Sequence, residues 1–190
     1  MKMKDIDVRM AVHAKILKDH HNDPDTLIVD EFCINLGSVR ADIAVINGIL
    51  HGYELKSSND TLERLPSQIE HYSSVMDKAT LVVAENHVDS AVHLLPHWWG
   101  IKVVSQGKRG AMHLASLRRN KRNPCVSNLA LAQLLWKEEC IFILDKMGLA
   151  KGNKSKPRYE LWNVVAANVP LEVLKDEVRT LLKKRTGWRA

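Results

Sequence analysis

A mixed α/β fold, one sheet with helices laid on its faces, is what the order of hydrophobic patterns predicts. Three observations carry that expectation. Consecutive Ile-, Val- and Leu-rich runs at 26–36, 39–46 and 50–57 are separated by Gly37-Ser38 and Asn47-Gly48, both good hairpin turn sequences. Helical periodicity flanks them, with Val8, Val12 and Ile16 on one side and Leu65, Ile69, Tyr72 and Met76 on the other. Short apolar runs at 79–84 and 101–105 then enclose a helical pattern near 86–94. The resulting order α-β-β-β-α-β-α-β is that of a mixed sheet with helical layers.

Taken in order, residues 5–20 form the first helix, with Asp5 and Asp7 in the first turn, where negative charge is favourable. Pro24 closes the loop that follows. The helix over 61–77 carries Pro66 in its first turn, so its regular part begins near there. The turn Pro96-His97-Trp98-Trp99-Gly100 leads into the last expected strand, with Trp98 and Trp99 packed under the sheet edge. After Gly107 the composition changes. A basic, turn-rich connector over 118–124 precedes apolar helices near 127–147, 158–167 and 171–185. The expected division is a core over 1–106 and a basic, mostly helical region over 107–190.

A chain of 190 residues buries a sizeable core without staples, and 45% hydrophobic with 26% charged residues excludes wholesale disorder. No uncharged apolar run approaches the ~18 residues of a membrane span, and the N-terminal residues lack a signal-peptide core. Cys33, Cys125 and Cys140 are odd in number and without CxxC spacing, which suits a reducing cytoplasm better than a disulfide framework or zinc site. Cys33 is expected to be a small buried thiol. The net charge of +6 divides unevenly, −5 over residues 1–105 and +11 over 106–190. Such asymmetry suits one part that grips a polyanion and another that holds cations.

The informative stretch is Arg40-Ala41-Asp42, then Glu54-Leu55-Lys56, then Gln68 to Tyr72. Strand side chains alternate, so Glu54 and Lys56 share a face. In antiparallel pairing, opposite residues lie on one face and their numbers add to a constant. A two-residue Asn47-Gly48 turn gives 95 and turns Glu54 away from Asp42. A three-residue loop, with Gly48 left-handed, gives 96 and sets Asp42 opposite Glu54. The second, or a five-residue loop of the same parity, is preferred, because one face then reads Arg40, Asp42, Ala44, Gly52, Glu54, Lys56 and the other is apolar. A two-residue Gly37-Ser38 turn gives 75 for the preceding hairpin and puts Glu31 on the same side, with Cys33 facing Asp42. Three carboxylates and an ammonium converge, an arrangement that is costly unless a cation neutralises it. Hard oxygen ligands suit Mg²⁺ or Mn²⁺, which also accept phosphate oxygens.

These residues resemble the PD-(D/E)XK nuclease superfamily, in its version with a Gln-xxx-Tyr helix. More closely, Arg40-Ala41-Asp42-Ile43, Gly52-Tyr53-Glu54-Leu55-Lys56-Ser57, Asp60-Thr61-Leu62-Glu63-Arg64-Leu65 and Pro96-His97-Trp98-Trp99-Gly100-Ile101 look like a family of small, largely uncharacterised bacterial and phage proteins assigned to that superfamily. The resemblance implies a restriction-endonuclease-like core with a C-terminal helical extension. It implies Mg²⁺- or Mn²⁺-dependent phosphodiester hydrolysis, with metal ligation by Asp42, Glu54 and the Leu55 carbonyl. Lys56 takes the catalytic lysine's role, Gln68 and Tyr72 flank the site, and Ala41 replaces the proline common before the aspartate. Glu31 is a further candidate ligand, and Arg40 and Arg64 candidate supports. The expected partner is nucleic acid, DNA before RNA, with a homodimer allowed and no membrane. The setting is phage–host conflict or DNA processing. The alternative is a silent nucleic-acid-binding or protein-interaction module on the same fold.

Arg118, Arg119, Lys121 and Arg122, with Lys183, Lys184 and Arg185 at the end of the last helix, are the candidate phosphate contacts. The last two helices form a helix-turn-helix-like unit, for which a cap packed through Leu171, Leu174, Val178 and Leu181 is the preferred role. Asp60 with Glu63 fits a helix-start pair.

Overall fold

The computed structural model describes residues 3–186. It begins with α1 (Asp5–Lys15) and α2 (Lys18–His21), followed by β1 (Leu27–Ile34), β2 (Val39–Ile46) and β3 (Leu50–Lys56). Next come α3 (Leu65–Val75), β4 (Lys78–Ala84), α4 (Val88–Leu94), β5 (Gly100–Gln106) and β6 (Met112–Arg118). The chain continues as α5 (Asn128–Ala132), α6 (Lys137–Lys146), α7 (Arg158–Asn168) and α8 (Leu171–Lys184). All six strands form one mixed sheet in sequential order. β1, β2 and β3 run as an antiparallel meander, β3, β4 and β5 are parallel, and β6 returns antiparallel to β5.

Strand alternation builds two cores. Ile43, Val45, Tyr53, Leu55, Val82, Ala84 and Val104 pack against Val8 and Val12 of α1. Ala44, Ile46, Leu50, Leu81 and Val83 face the other way, against α3 and the C-terminal helices. The helix expected over 5–20 is interrupted, because Leu17 turns wholly into the α1-side core and its N–H bonds back to Val12. Likewise the pattern over 127–147 is two helices. Ser127 Oγ caps α5 at Ala130 N, and Glu139 accepts from Trp136 N–H at 2.7 Å to start α6.

The second hairpin has the preferred register, Ile46 opposite Leu50. Its three-residue loop closes through Asn47, whose Oδ1 accepts from Ile49 N–H, and Gly48 is not left-handed. The first hairpin differs from expectation. Ile34 lies opposite Val39, a constant of 73 rather than 75, because Asn35, Leu36 and Gly37 all adopt left-handed φ in a wider turn. Parity survives, but Cys33 now pairs with Arg40 and is exposed. The expected core boundary at 106 falls inside the β5–β6 hairpin, since β6 completes the sheet. No helix among the described residues is long and apolar enough to cross a membrane.

The C-terminal helices cap the sheet through Leu161, Trp162, Val165, Leu174, Val178 and Leu182. One buried carboxylate fastens them. Asp77 Oδ2 accepts from Leu50 N–H at 2.9 Å and from Arg179 Nη1 at 2.9 Å, and Lys175 Nζ stands 3.3 Å from Oδ1. Removing one partner of a buried pair strands the others, so Asp77→Ala should cost about 3–5 kcal/mol. Urea denaturation measures it, and an unchanged midpoint would rule out this anchoring role.

Candidate functional site

β2 and β3 stay paired only as far as Ile43 opposite Tyr53, whereas β3 remains paired with β4 up to Lys56 opposite Val83. The two strands therefore part just where Asp42 and Glu54 lie. Tyr72 of α3 fills the parting. Asp42 N–H donates to its hydroxyl oxygen at 3.3 Å, and the hydroxyl in turn lies 2.8 Å from Glu54 Oε2 and 3.2 Å from the Tyr53 carbonyl. Tyr72 is fully buried, with its ring 5.2 Å from that of Trp99. Burial first, then the charges of Glu54 and Asp42, pushes the Tyr72 hydroxyl well above its ordinary pKa, so it remains a donor.

Glu54 is 1% exposed. Its Oε1 accepts from Lys56 Nζ at 2.7 Å and from Gln68 Nε2 at 2.6 Å. Lys56 and Gln68 reach it because strand alternation puts residues 54 and 56 on one face, and Gln68 and Tyr72 are one helical turn apart on α3. Asp42 Oδ2 accepts from Leu55 N–H at 2.7 Å. Burial and the facing Glu54 charge nevertheless push the Asp42 carboxyl up to about 7, against the opposing effects of Leu55 N–H, Arg9 and Lys56. The site is thus short of positive charge.

The donor set fits a hard divalent cation in three respects. Asp42 Oδ1 accepts no hydrogen bond among the described residues, and Gln68 Oε1 is buried without a partner. The Asp42–Glu54 pair supplies hard oxygens, with Lys56 Nζ 2.7 Å from Glu54 and Arg9 Nη2 3.6 Å from Asp42 Oδ1. No group of three or more His, Cys, Asp or Glu side chains is gathered for a metal among the described residues. Two carboxylates and a main-chain carbonyl are a smaller set than that.

Asp42, Glu54, Lys56, Gln68 and Tyr72 are therefore brought together. Glu31 is not joined to Glu54, since its Oε1 bonds Arg9 Nη2 at 2.8 Å. Arg9 also donates to the Asp42 carbonyl at 2.6 Å, a role invisible in the strand motifs. Its signal is the polar stripe Asp5, Arg9, His13 at four-residue spacing along α1. Arg40 and Arg64 are exposed, at the start of β2 and at the N-cap of α3. Asp60 accepts from Ser57 N–H and stabilises the turn after β3 rather than starting α3.

The expected phosphate contacts divide. Arg118 is committed to the Trp99 and Pro96 carbonyls. Arg122 pairs with Glu172, Arg185 with Glu139, and Lys183 donates to the Asp25 carbonyl. Arg119, Lys121 and Lys184 are exposed.

Residues 2–189 match the family model described as Bacteriophage P4 protein cII. Protein cII of Enterobacteria phage P4 is 25% identical over 161 residues, which cover 85% of this chain and 60% of that protein. The chain thus spans about three fifths of the relative's length. A protein of unknown function from Silicibacter pomeroyi aligns structurally with a TM-score of 0.40 and 14% identity, covering 74% of this chain and 87% of that one.

Gly52 is the cradle of the Tyr72 wedge. A Cβ there would lie 2.8 Å from Tyr72 Cε1, and the fully buried ring has no free space to yield. Gly52→Ala should cost about 1–3 kcal/mol of stability by overpacking and shift the near-ultraviolet signal of Tyr72 and Trp99. A variant with the wild-type melting temperature and spectrum would remove Gly52 from this role.

Proposed function

We propose that this chain, which belongs to the Bacteriophage P4 protein cII family, is a divalent-metal-dependent nuclease of the PD-(D/E)XK kind. It hydrolyses phosphodiester bonds of nucleic acid, DNA in preference to RNA, in the cytoplasm during phage–host conflict or DNA processing. One observation carries this reading. A buried Glu54 bound by Lys56, Gln68 and Tyr72 faces an Asp42 whose pKa is raised to about 7. A structural ion pair alone gives no reason for a second, half-buried acid beside it.

Asp42, Glu54 and the Leu55 carbonyl would hold Mg²⁺ or Mn²⁺, which supplies an acidified water and offsets charge at phosphorus. Tyr72 and Gln68 fix the rotamer of Glu54 through both carboxylate oxygens. Gln68 Oε1, left unpartnered, would accept a hydrogen bond from a water held beside Glu54. Lys56 Nζ, held against Glu54 Oε1, would stabilise negative charge on the phosphoryl oxygens. Arg119, Lys121 and Lys184 give sequence-independent phosphate contacts at the periphery.

A second reading has the Lys56–Glu54 ion pair in its favour. At 2.7 Å it occupies a ligand oxygen, as expected of a nucleic-acid-binding or protein-interaction module without turnover. Cleavage assays on single- and double-stranded DNA and RNA with Mg²⁺ or Mn²⁺ separate the two. Cleavage should appear in the wild type and fall by about 10²–10³-fold in Lys56→Ala with folding intact by circular dichroism. Nucleic-acid binding without cleavage would establish the second reading.

The raised Asp42 pKa sets a pH dependence. A cation must displace the Asp42 proton below about pH 7, so Mn²⁺ affinity should rise about tenfold between pH 6 and pH 8. In the metal-free chain the protonated Asp42 favours the folded state. That contribution is complete below the ordinary value of 3.8 and is lost as pH rises through about 7. Asp42→Asn should flatten both profiles. Calorimetric Mn²⁺ titrations and melts across this range check them, and a pH-independent wild-type affinity would count against Asp42 as a ligand.

A further inference from the structure

Four carboxylates surround the Arg9 guanidinium. Glu31 Oε1 lies 2.8 Å from Nη2, Asp42 Oδ1 3.6 Å from Nη2, Asp30 Oδ1 3.6 Å from Nη1 and Asp5 Oδ2 3.8 Å from Nε. Nη1 also donates to the Asp42 main-chain carbonyl at 2.6 Å. The Arg9 side chain is only 15% exposed, and a guanidinium keeps its charge at every accessible pH. Opposite it, Glu31 adopts φ 55, a left-handed conformation that an L side chain enters at a cost. The Glu31–Asp42 pair is correspondingly missing from an otherwise regular β1–β2 ladder. The backbone therefore departs from the strand where Glu31 meets Arg9.

We infer that Arg9 is a built-in cation standing in place of a second divalent ion, so that the site binds one metal ion and Glu31 is not among its ligands. This rests on the metal-dependent reading above and adds the number of ions and the reason for it. Two-metal sites hold their ions ~3.5–4 Å apart, with carboxylates shared between them. Here Asp42 Oδ1 and Glu31 Oε1 both face a fixed positive charge within 4 Å. A second dication would meet that charge in a partly desolvated pocket, where repulsion is weakly screened. Arg9 is thus a positioning residue: it holds Asp42 by carbonyl and carboxylate and keeps Glu31 outside the coordination sphere.

The test is the stoichiometry of Mn²⁺ bound to the full chain, by calorimetry and by electron paramagnetic resonance of free Mn²⁺, with no nucleic acid present. Wild type should bind one ion, Arg9→Met two, and the double variant Arg9→Met/Glu31→Gln one again. Glu31→Gln alone should leave the stoichiometry at one ion, since Glu31 is not a ligand. Two ions in wild type, or one in a folded Arg9→Met, would overturn the inference and leave the metal reading standing. Should Arg9→Met fail to fold, Arg9→Gln is read in its place, and one ion bound to that folded variant overturns the inference as well. No Mn²⁺ bound to wild type removes the metal reading and this inference with it.

Discussion

A carboxylate removed from water has to be answered by hydrogen-bond donors on both of its oxygens, and Glu54 imposes that condition on everything around it. At 1% exposure it takes an ammonium, an amide and a phenol, one from its own strand and two from α3. The phenol has a second task. By accepting from Asp42 N–H beside the Tyr53 carbonyl, it keeps main-chain groups satisfied where β2 and β3 separate. Without such an insert the strands would close into an ordinary ladder and Asp42 would have no opening to face. The same hydroxyl therefore both holds one acid and makes room for the other.

That condition explains why so much of the chain is devoted to fixing α3. Asn123 Nδ2 donates to the carbonyls of Ser73 and Met76 at 2.7 Å each, and Ser127 N–H donates to the Ser74 carbonyl at 2.9 Å. These bonds satisfy carbonyls that a helix end otherwise leaves to solvent. Asp77, immediately after α3, ties the start of β3 to α8. The C-terminal helices thus act on the acidic site through α3 rather than by touching it. Their buried faces and Trp99, which lies beside Tyr72 and is backed by Trp98, set the depth at which its hydroxyl enters the sheet.

What the sequence made legible follows from how local each signal is. Alternation over 39–56 and the small Gly52 marked one polar and one apolar strand face, and the register of that hairpin followed from keeping them apart. The first hairpin carried no such constraint, because its parity is the same with a constant of 73 or 75, and left-handed φ at Leu36, unlike Asn35, has no residue signature. β6 escaped notice for another reason. Met112 and Leu114 alternate with polar residues as a half-buried strand should, but the change of composition after Gly107 masked a pattern only two apolar residues deep. Arg9 was beyond reach because its partners lie 22 and 33 residues away on other elements.

The +11 of residues 106–190 is a poorer guide to a polyanion surface than its size implies. Arg118 spends its donors on main-chain carbonyls, Lys175 and Arg179 neutralise Asp77, and Arg185 is held by Glu139 over the Trp136 ring. Arg122 answers Glu172, and Lys146 answers Glu177. Part of the basic half, Arg118, Lys175, Arg179 and Arg185, is therefore spent on contacts within the fold. The converse holds in the acidic half, where the net charge is negative but Arg40 and Arg64 are exposed. One precedes Asp42 by two residues of strand and the other precedes Gln68 by one helical turn. The charge beside Asp42 and Glu54 is therefore set by where individual cations sit in the fold rather than by the regional total.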